Sequence, residues 1–219
     1  QKEFKDLIKL LKIPVVFTWN ALDLMNYKSK FNIGRPGTVA LRAPNFAVQN
    51  CDLLITIGAR LDNVVTAYNP ENFARHAKKI IVDIDPNELK KFTHKVDYKI
   101  CCDARSFINS LLNVSDGKII KNHSSWVNKC NAWKSKYSLN DGKKFPKKGI
   151  ISHFHLVDSL SELIPENSLI VTGSSGLAVE SFYTAFRNKR NQRVFLTSGL
   201  GAMGYGIPAL IGSAAATNK

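Results

Sequence analysis

Residues 193–212 read RVFLTSGLGAMGYGIPALIG, and this stretch decides how the rest of the chain is interpreted. The apolar run from Val194 to Leu196 is typical of a strand, and residues 197–199 end it as turn residues do. Four glycines then fall within eight positions: Gly199, Gly201, Gly204 and Gly206. Because a Cβ in the left-handed region costs about 1–2 kcal/mol, this spacing predicts a strand followed by a tightly folded loop.

The same glycines match G-x-G-x-x-G, a template for dinucleotide phosphates, from Gly199 to Gly204. That template also requires a complete strand-helix-strand unit and an acidic residue about 20 positions further on. No Asp or Glu follows Glu180 in the printed sequence. An NAD(P)-binding oxidoreductase therefore stays open as an alternative.

The chain is basic, with 31 Lys and Arg against 17 Asp and Glu and a net charge of +14. Residues 113–149 contain nine lysines and two acids, so half of the excess lies in one connecting segment. This distribution favours a solvated linker over a nucleic-acid surface. A basic nucleic-acid-binding module remains an alternative, because Trp126, Trp133 and Tyr137 alternate with lysines at helical spacing.

The spacing of the cysteines and the hydropathy of the chain further narrow the class of protein to which it can belong. The four cysteines show no C-x-x-C spacing, which indicates neither a zinc site nor a disulfide framework. No apolar run approaches the roughly 18 residues of a membrane span. We therefore expect a cytoplasmic protein that binds no membrane and no nucleic acid.

Apolar strands alternate with helices in the first half of the chain. Strands are predicted at 15–17, 53–58 and 79–85 with an extended segment at 99–102, and helices at 4–11, 38–50, 73–77 and 104–112. Asp85 and Asp103 are expected to cap helices. This pattern predicts an α/β fold with doubly wound parallel sheets.

A second α/β unit is predicted from residue 150. A helix over 152–164 is expected to bury Phe154, Val157, Leu160 and Leu163 or Ile164. A strand over 168–171 then leads into residues 172–176, which are expected to open a helix through Phe182, Tyr183 and Phe186. Free N–H groups at such a helix start favour an anion, so Ser174, Ser175 and Gly176 are candidate phosphate contacts. An ordinary serine cap is the alternative.

Residues 198–209 closely resemble the segment that opens the cofactor domain of acetolactate synthase and its relatives, which are thiamine diphosphate-dependent enzymes. By this resemblance, the Gly201 carbonyl accepts a hydrogen bond from the aminopyrimidine ring, and Met203 wedges under the bent cofactor. Leu200 and Ala202 complete the cofactor loop. Residues 58–62 and 82–86 resemble the central domain of the same family.

The resemblance implies three segments in two domains that are both incomplete. Residues 1–113 would form a central Rossmann-like domain without its first strand, 114–149 a basic linker with one helix, and 150–219 the first half of the thiamine diphosphate-binding domain. The chain does not start with Met, and it is expected to be a fragment.

The resemblance also implies the activity. Such enzymes decarboxylate a 2-oxo acid, such as pyruvate, and join the two-carbon unit to an acceptor, as homo-oligomers that we expect to be dimers or tetramers. The family's catalytic glutamate and Mg²⁺ ligands belong to segments upstream and downstream of this chain. The chain is therefore expected to contain neither and to be inactive alone.

FAD is a further cofactor in some relatives of this family. The segment 60–67 lacks the second arginine and the glycine of the FAD-binding relatives. Loss of the arginine removes a cationic fork that could hold a phosphate. FAD binding is the weaker alternative.

Overall fold

The computed structural model of the chain describes residues 2–92, 95–115, 121–197 and 199–217. In the first half, the helices are α1 (Lys2–Leu11), α2 (Arg42–Asn50), α3 (Pro86–Lys90) and α4 (Ala104–Ser115), and the strands are β1 (Val15–Val16), β2 (Asn32–Gly34), β3 (Leu53–Ile57), β4 (Lys78–Asp83) and β5 (Tyr98–Cys101). Then follow α5 (Ser124–Lys136), α6 (His153–Leu163), β6 (Leu169–Val171), α7 (Phe182–Ala185), β7 (Arg193–Phe195) and α8 (Gly206–Thr217). Ser198, part of the glycine-rich stretch, lies outside the described residues.

All described strand pairs are parallel. They form a pair β1-β2, a three-stranded sheet β3-β4-β5 and a pair β6-β7. In the three-stranded sheet, Ile55 lies opposite Ile80, and Ile80 opposite Tyr98. The predicted α/β fold with parallel sheets and flanking helices is confirmed.

Local sequence signals account for several element boundaries. The Asp85 carboxylate accepts a hydrogen bond from the Asn87 N–H at the start of α3, as expected for a cap. Asp103 accepts one from the Ser106 N–H at the start of α4. The side chain of Ser152 accepts one from His155 and begins α6. No helix in the described ranges has the length and hydropathy needed to cross a bilayer.

The helix predicted over residues 73–77 was wrong. The chain forms a turn there, and Ala74 has a positive φ of 48°. Phe73, Ala74 and Ala77 are nevertheless buried in the core of the first half. Their apolar spacing reflects packing of the turn in that core, which periodicity does not distinguish from a helix. Helix α2 begins at Arg42 instead of Thr38, because Leu41 is extended, with φ of −69° and ψ of 159°.

The predicted inward face of α6 was only partly correct. Val157 is 2% exposed, whereas Phe154 is 40% and Leu163 77% exposed. Helix α6 packs against α7 in the core of the second half, and Val157 is its buried member of that core. The main neighbours of α6 are α7 and the turn at Leu177–Ser181, and these leave Phe154 and Leu163 exposed.

The connecting helix α5 packs against α2. Trp126 and Trp133 pack against a core of Ile33, Ala43, Ala47 and Cys130. The Trp133 and Tyr137 rings contact Phe46 edge-on, at centroid distances of 5.7 and 5.4 Å. The aromatic stripe therefore packs on its own chain.

A buried arginine joins the two halves. Arg35 is 5% exposed, and its guanidinium donates hydrogen bonds to the carbonyls of Tyr183, Thr184 and Phe186 at the end of α7. Burial lowers its pKa to about 10, so it remains a cation at neutral pH. The last carbonyls of a helix have no donor within the helix and carry partial negative charge, so they are suited to bind a cation.

A buried carboxylate forms a second connection. Asp23 accepts hydrogen bonds from the Arg193 guanidinium at 2.7 and 3.0 Å and from the Val194 N–H at 2.9 Å. Because Val194 is the centre of β7, the carboxylate anchors this strand to the first half. The two halves are therefore connected through polar groups at both α7 and β7.

We predict that Arg35→Met lowers the free energy of unfolding by about 2 kcal/mol, because it leaves three carbonyls without a donor. The exposed Arg190 is the control, and Arg190→Met should change stability by less than about 0.5 kcal/mol. Urea denaturation measures both. Equal stability of the two variants would contradict the assigned role of Arg35.

Candidate functional site

The two loops predicted to bind a cofactor lie side by side. Strands β6 and β7 are parallel neighbours, so the loops that follow them leave the same edge of the sheet. The Ser174 hydroxyl donates a hydrogen bond to the Ala202 carbonyl at 2.8 Å. A Cβ added to Gly206 would lie 3.4 Å from the Cα of Gly173. Residues 172–176 and 199–206 therefore form one surface, here called the two-loop site.

The glycines of the second loop adopt the backbone conformation that the sequence predicts. Gly199, Gly201 and Gly204 have φ of 92°, 57° and 82°. A Cβ added to any of them would meet no described atom within 4 Å. The backbone conformation favours glycine at these three positions, whereas a Cβ at Gly206 would make an ordinary van der Waals contact with Gly173.

Met203 and Leu200 project from this loop into solvent. Their side chains are 96% and 97% exposed, so neither belongs to the hydrophobic core. Exposure of large apolar residues beside open space is the arrangement expected of a surface that contacts a ligand or another chain. The position of Met203 leaves its thioether available to contact a ring system.

The two serines of the first loop have different partners. Ser174 uses its hydroxyl proton for the Ala202 carbonyl, and therefore offers a bound phosphate only acceptor lone pairs. The Ser175 hydroxyl accepts from the Ala178 N–H at 3.2 Å, as in an ordinary cap. Its own proton remains available for an anionic oxygen. Of the two serines, Ser175 is therefore the better hydrogen-bond donor to a phosphate oxygen.

The helix predicted to start after Gly176 is not a regular α-helix. Residues Leu177–Ser181 form a π-turn, in which the Ser181 N–H binds the Gly176 carbonyl at 3.2 Å, and α7 adds a single turn. The predicted helix through Phe182 and Tyr183 is present but begins with this π-turn, and the anion contacts at Ser174, Ser175 and Gly176 stay a prediction. Turns of this kind occur frequently at functional sites.

Thr172 and Tyr183 anchor the first loop. Their role is not predicted by the sequence pattern. The Thr172 N–H binds the Phe195 carbonyl at 3.1 Å, and the two hydroxyls of Thr172 and Tyr183 lie 3.4 Å apart. Tyr183 is 1% exposed, and burial raises its pKa to about 12. Thr172 directly follows β6 and Tyr183 lies in α7, so no periodicity within a single element could have indicated their contact.

The acidic groups near the site are few. A Cβ on Gly176 would lie 3.9 Å from a carboxylate oxygen of Glu180. Within the described ranges, no group of three or more His, Cys, Asp or Glu could hold a metal ion. The described part of the two-loop site therefore provides hydroxyls, backbone groups and one carboxylate.

The segment compared with FAD-binding relatives is engaged in internal contacts. Arg60 forms an ion pair with Glu88 at 3.0 Å, and the Lys91 ammonium binds both Glu88 and the Arg60 carbonyl. These contacts lower the pKa of Glu88, the Lys91 hydrogen bond contributing most. Asp62 accepts a hydrogen bond from the Val65 N–H at 3.0 Å. The side chains of Arg60 and Asp62 thus stabilise the local loop.

The G-x-G-x-x-G motif that ends at Gly204 does not lead directly into a helix. Helix α8 begins at Gly206, two residues after the last glycine of the motif, and the Ala209 N–H binds the Tyr205 carbonyl at 3.0 Å. In the dinucleotide fingerprint the glycines lead directly into the helix whose N-terminus holds the pyrophosphate. The position of Gly204 therefore departs from that geometry.

Comparison with known proteins gives concordant matches. Residues 1–111 match the family described as thiamine pyrophosphate enzyme, central domain. The chain is 32% identical to the acetolactate synthase large subunit of Porphyra purpurea, over 95% of this chain and 35% of that protein. It is 30% identical to the mitochondrial acetolactate synthase catalytic subunit of Aspergillus candidus (95% and 31%) and 32% identical to the chloroplastic acetolactate synthase 2 of Nicotiana tabacum (97% and 32%). The chain spans about a third of the length of these curated relatives.

We predict that Ser174→Ala loosens the two-loop site, because the hydroxyl donor to Ala202 is lost. Amide hydrogen exchange in residues 199–206 should become at least about threefold faster. Ser175→Ala is the matched control and should leave this segment unchanged. Equal exchange rates in both variants would show that the Ser174–Ala202 hydrogen bond does not hold the loop.

Proposed function

Because the chain belongs to the thiamine pyrophosphate enzyme family, we propose that its parent protein is an acetolactate synthase-like enzyme. It would decarboxylate a 2-oxo acid such as pyruvate and transfer the two-carbon unit to an acceptor. The observation that supports this most directly is the hydrogen bond from Ser174 to Ala202, which joins the two loops proposed to hold the cofactor.

The two-loop site fits the organic part of thiamine diphosphate. A Cβ added to Gly201 would meet open space, and Met203 offers an exposed thioether two residues later. The proposed roles are a hydrogen-bond acceptor for the aminopyrimidine at Gly201 and a support for the bent cofactor at Met203. When bound, the cofactor supplies a carbon nucleophile for the 2-oxo group and a sink for the electrons left by CO₂.

The diphosphate is proposed to lie over the first loop. The Ser175 hydroxyl can donate to a phosphate oxygen, and backbone N–H groups of Gly176 and its neighbours can contribute. One helix N-terminus contributes about 0.3–1 kcal/mol toward an anion, too little to hold a diphosphate beside Glu180. We therefore propose Mg²⁺ as the counter-ion, with ligands outside the described residues.

Three further properties of the parent protein are its oligomeric state, its location and FAD binding. A homo-oligomer would cover the exposed side chain of Leu200. A cytoplasmic location stays a prediction, since two of the relatives are named as a mitochondrial and a chloroplastic enzyme. FAD binding remains the weaker expectation.

We predict that the full-length protein binds thiamine diphosphate in the presence of Mg²⁺ and converts pyruvate to acetolactate with release of CO₂. Calorimetric titration and a colorimetric acetolactate assay measure the two steps. The 219-residue chain alone should show no turnover. Binding of NAD(H) without binding of thiamine diphosphate would instead support the oxidoreductase alternative, and preferential binding of RNA the nucleic-acid alternative.

We also predict that Met203→Ala in the full-length protein raises the KM for thiamine diphosphate about tenfold, because the support for the bent cofactor is lost. Met203→Leu keeps most of the volume and should stay within about threefold of the unmodified protein. Thermal unfolding without cofactor should be the same for both variants, because Met203 lies outside the core. Equal KM values for the two variants would contradict the proposed contact.

A further inference from the structure

A small cavity lies where the two halves of the chain meet the connecting helix α5. Its volume is about 10 Å³, which is roughly the room that one water-sized particle needs. Arg35 and the start of α2 line it from the first half, Lys134 from α5, and Thr184 from α7 in the second half. The cavity therefore forms only where all three parts of the chain are in contact.

Two buried cations line this cavity. The guanidinium of Arg35 binds the carbonyls at the end of α7, as described above. The ammonium of Lys134 donates to the carbonyls of Tyr27 and Asn32, both at 2.6 Å. Within the described ranges, neither cation forms an ion pair with a carboxylate. Carbonyl dipoles therefore satisfy N–H groups of both side chains, while the two positive charges stay without a counter-charge.

The two charges also act on each other. Burial, and after it the charge of Arg35, lowers the pKa of Lys134 to about 8. Lys134 is therefore still largely protonated at neutral pH, although its charge is costly there. Two like charges repel each other strongly in an interior of low dielectric constant. A negative charge between them would turn this repulsion into two attractive interactions.

Hydrogen-bond donors without a partner face the same space. The hydroxyl of Thr184 is buried and has no partner in the described part of the chain, and the residue is 8% exposed. The hydrogen bonds of Arg35 use Nε and Nη2, so that Nη1 remains free to donate. Buried polar groups are nearly always hydrogen-bonded in native proteins. The unpartnered hydroxyl therefore points to an acceptor in the cavity.

The amino-terminal end of α2 adds to the positive potential. Leu41, Ala43 and Pro44 line the cavity, and α2 begins at Arg42. Leu41, the N-cap residue, has no side-chain hydrogen bond to the first N–H groups of the helix. These groups have no acceptor within the helix and carry partial positive charge. Ala43 is 1% exposed, so water does not screen this end of the helix on the side of the cavity.

We propose that the cavity binds one monatomic halide ion, such as chloride, between the Arg35 guanidinium, the Lys134 ammonium and the Thr184 hydroxyl. Phosphate and carboxylate ligands are too large for a space of about one water-sized particle. A water molecule fits by size, but it leaves both cations without a counter-charge.

A halide at this position would connect the two halves of the chain. Its three protein ligands lie on the segment after β2, on α5 and on α7, so that the complete site exists only when these elements are packed together. An ion that binds the folded state and not the unfolded state stabilises the folded state in proportion to its occupancy. The proposed ion is therefore structural, and it acts at the junction that carries the second sheet.

Thermal unfolding of the full-length protein tests the site in about 0.2 M sodium chloride and in sodium gluconate of the same ionic strength. Gluconate supplies the same charge but is too large for the cavity. We expect Tm to be at least about 3 °C higher in chloride. Thr184→Val keeps the side-chain shape without the hydroxyl donor, and should reduce this difference to less than about 1 °C. Lys134→Met should also abolish it.

Two controls separate loss of the ion from loss of the fold. Lys129→Met changes an exposed lysine of the same helix and should keep the full chloride effect. In gluconate, Thr184→Val should unfold within about 2 °C of the unmodified protein, because the hydroxyl that it removes has no partner there. Equal Tm values of the unmodified protein in the two salts, or a chloride effect that Thr184→Val leaves intact, would overturn the proposal.

Crystals of the full-length protein grown in sodium bromide locate the ion directly. Bromide scatters anomalously, so it is distinguished from water in the electron density. We expect an anomalous peak between the side chains of Arg35, Lys134 and Thr184. A water molecule in this cavity, or a cavity without a peak, would refute a halide at this junction.

Discussion

The parallel pairing of β6 with β7 is the constraint on which the two-loop site depends. The pairing places the chain after Val171 and the chain after Phe195 at one edge, and the Thr172 N–H extends it by binding the Phe195 carbonyl. The hydrogen bond from the Ser174 hydroxyl to the Ala202 carbonyl can then form between two segments that are 28 residues apart in sequence. Without this pairing, the glycine-rich loop has no fixed position relative to the serines.

The small second sheet depends in turn on the first half of the chain. The Asp23 carboxylate accepts a hydrogen bond from the Val194 N–H in β7, and the Arg35 guanidinium donates hydrogen bonds to the carbonyls at the end of α7. Both charged groups are buried, and such groups stabilise an interface when their hydrogen bonds are complete. The polar contacts between the halves thus fix the sheet that carries the site.

The sequence predicted the parallel sheets, most helix boundaries and the left-handed glycines, because these follow from local periodicity and backbone sterics. It failed at Phe73–Ala77, where buried apolar residues imitate helical spacing but Ala74 turns the chain. It could not predict Arg35 with α7 or Thr172 with Tyr183, since contacts between distant segments leave no spacing signal. The different partners of Ser174 and Ser175 also depend on tertiary structure, so the sequence treated the two serines as equivalent.

We propose that the Gly201 carbonyl and the Met203 side chain hold the bent thiamine cofactor. A crystal structure of the full-length protein with thiamine diphosphate and Mg²⁺ tests this contact most directly. We expect an aminopyrimidine nitrogen within about 3 Å of the Gly201 oxygen, with the Met203 sulfur against both rings. A cofactor bound away from residues 199–206, or a Met203 side chain packed against a partner subunit instead of the rings, would contradict it.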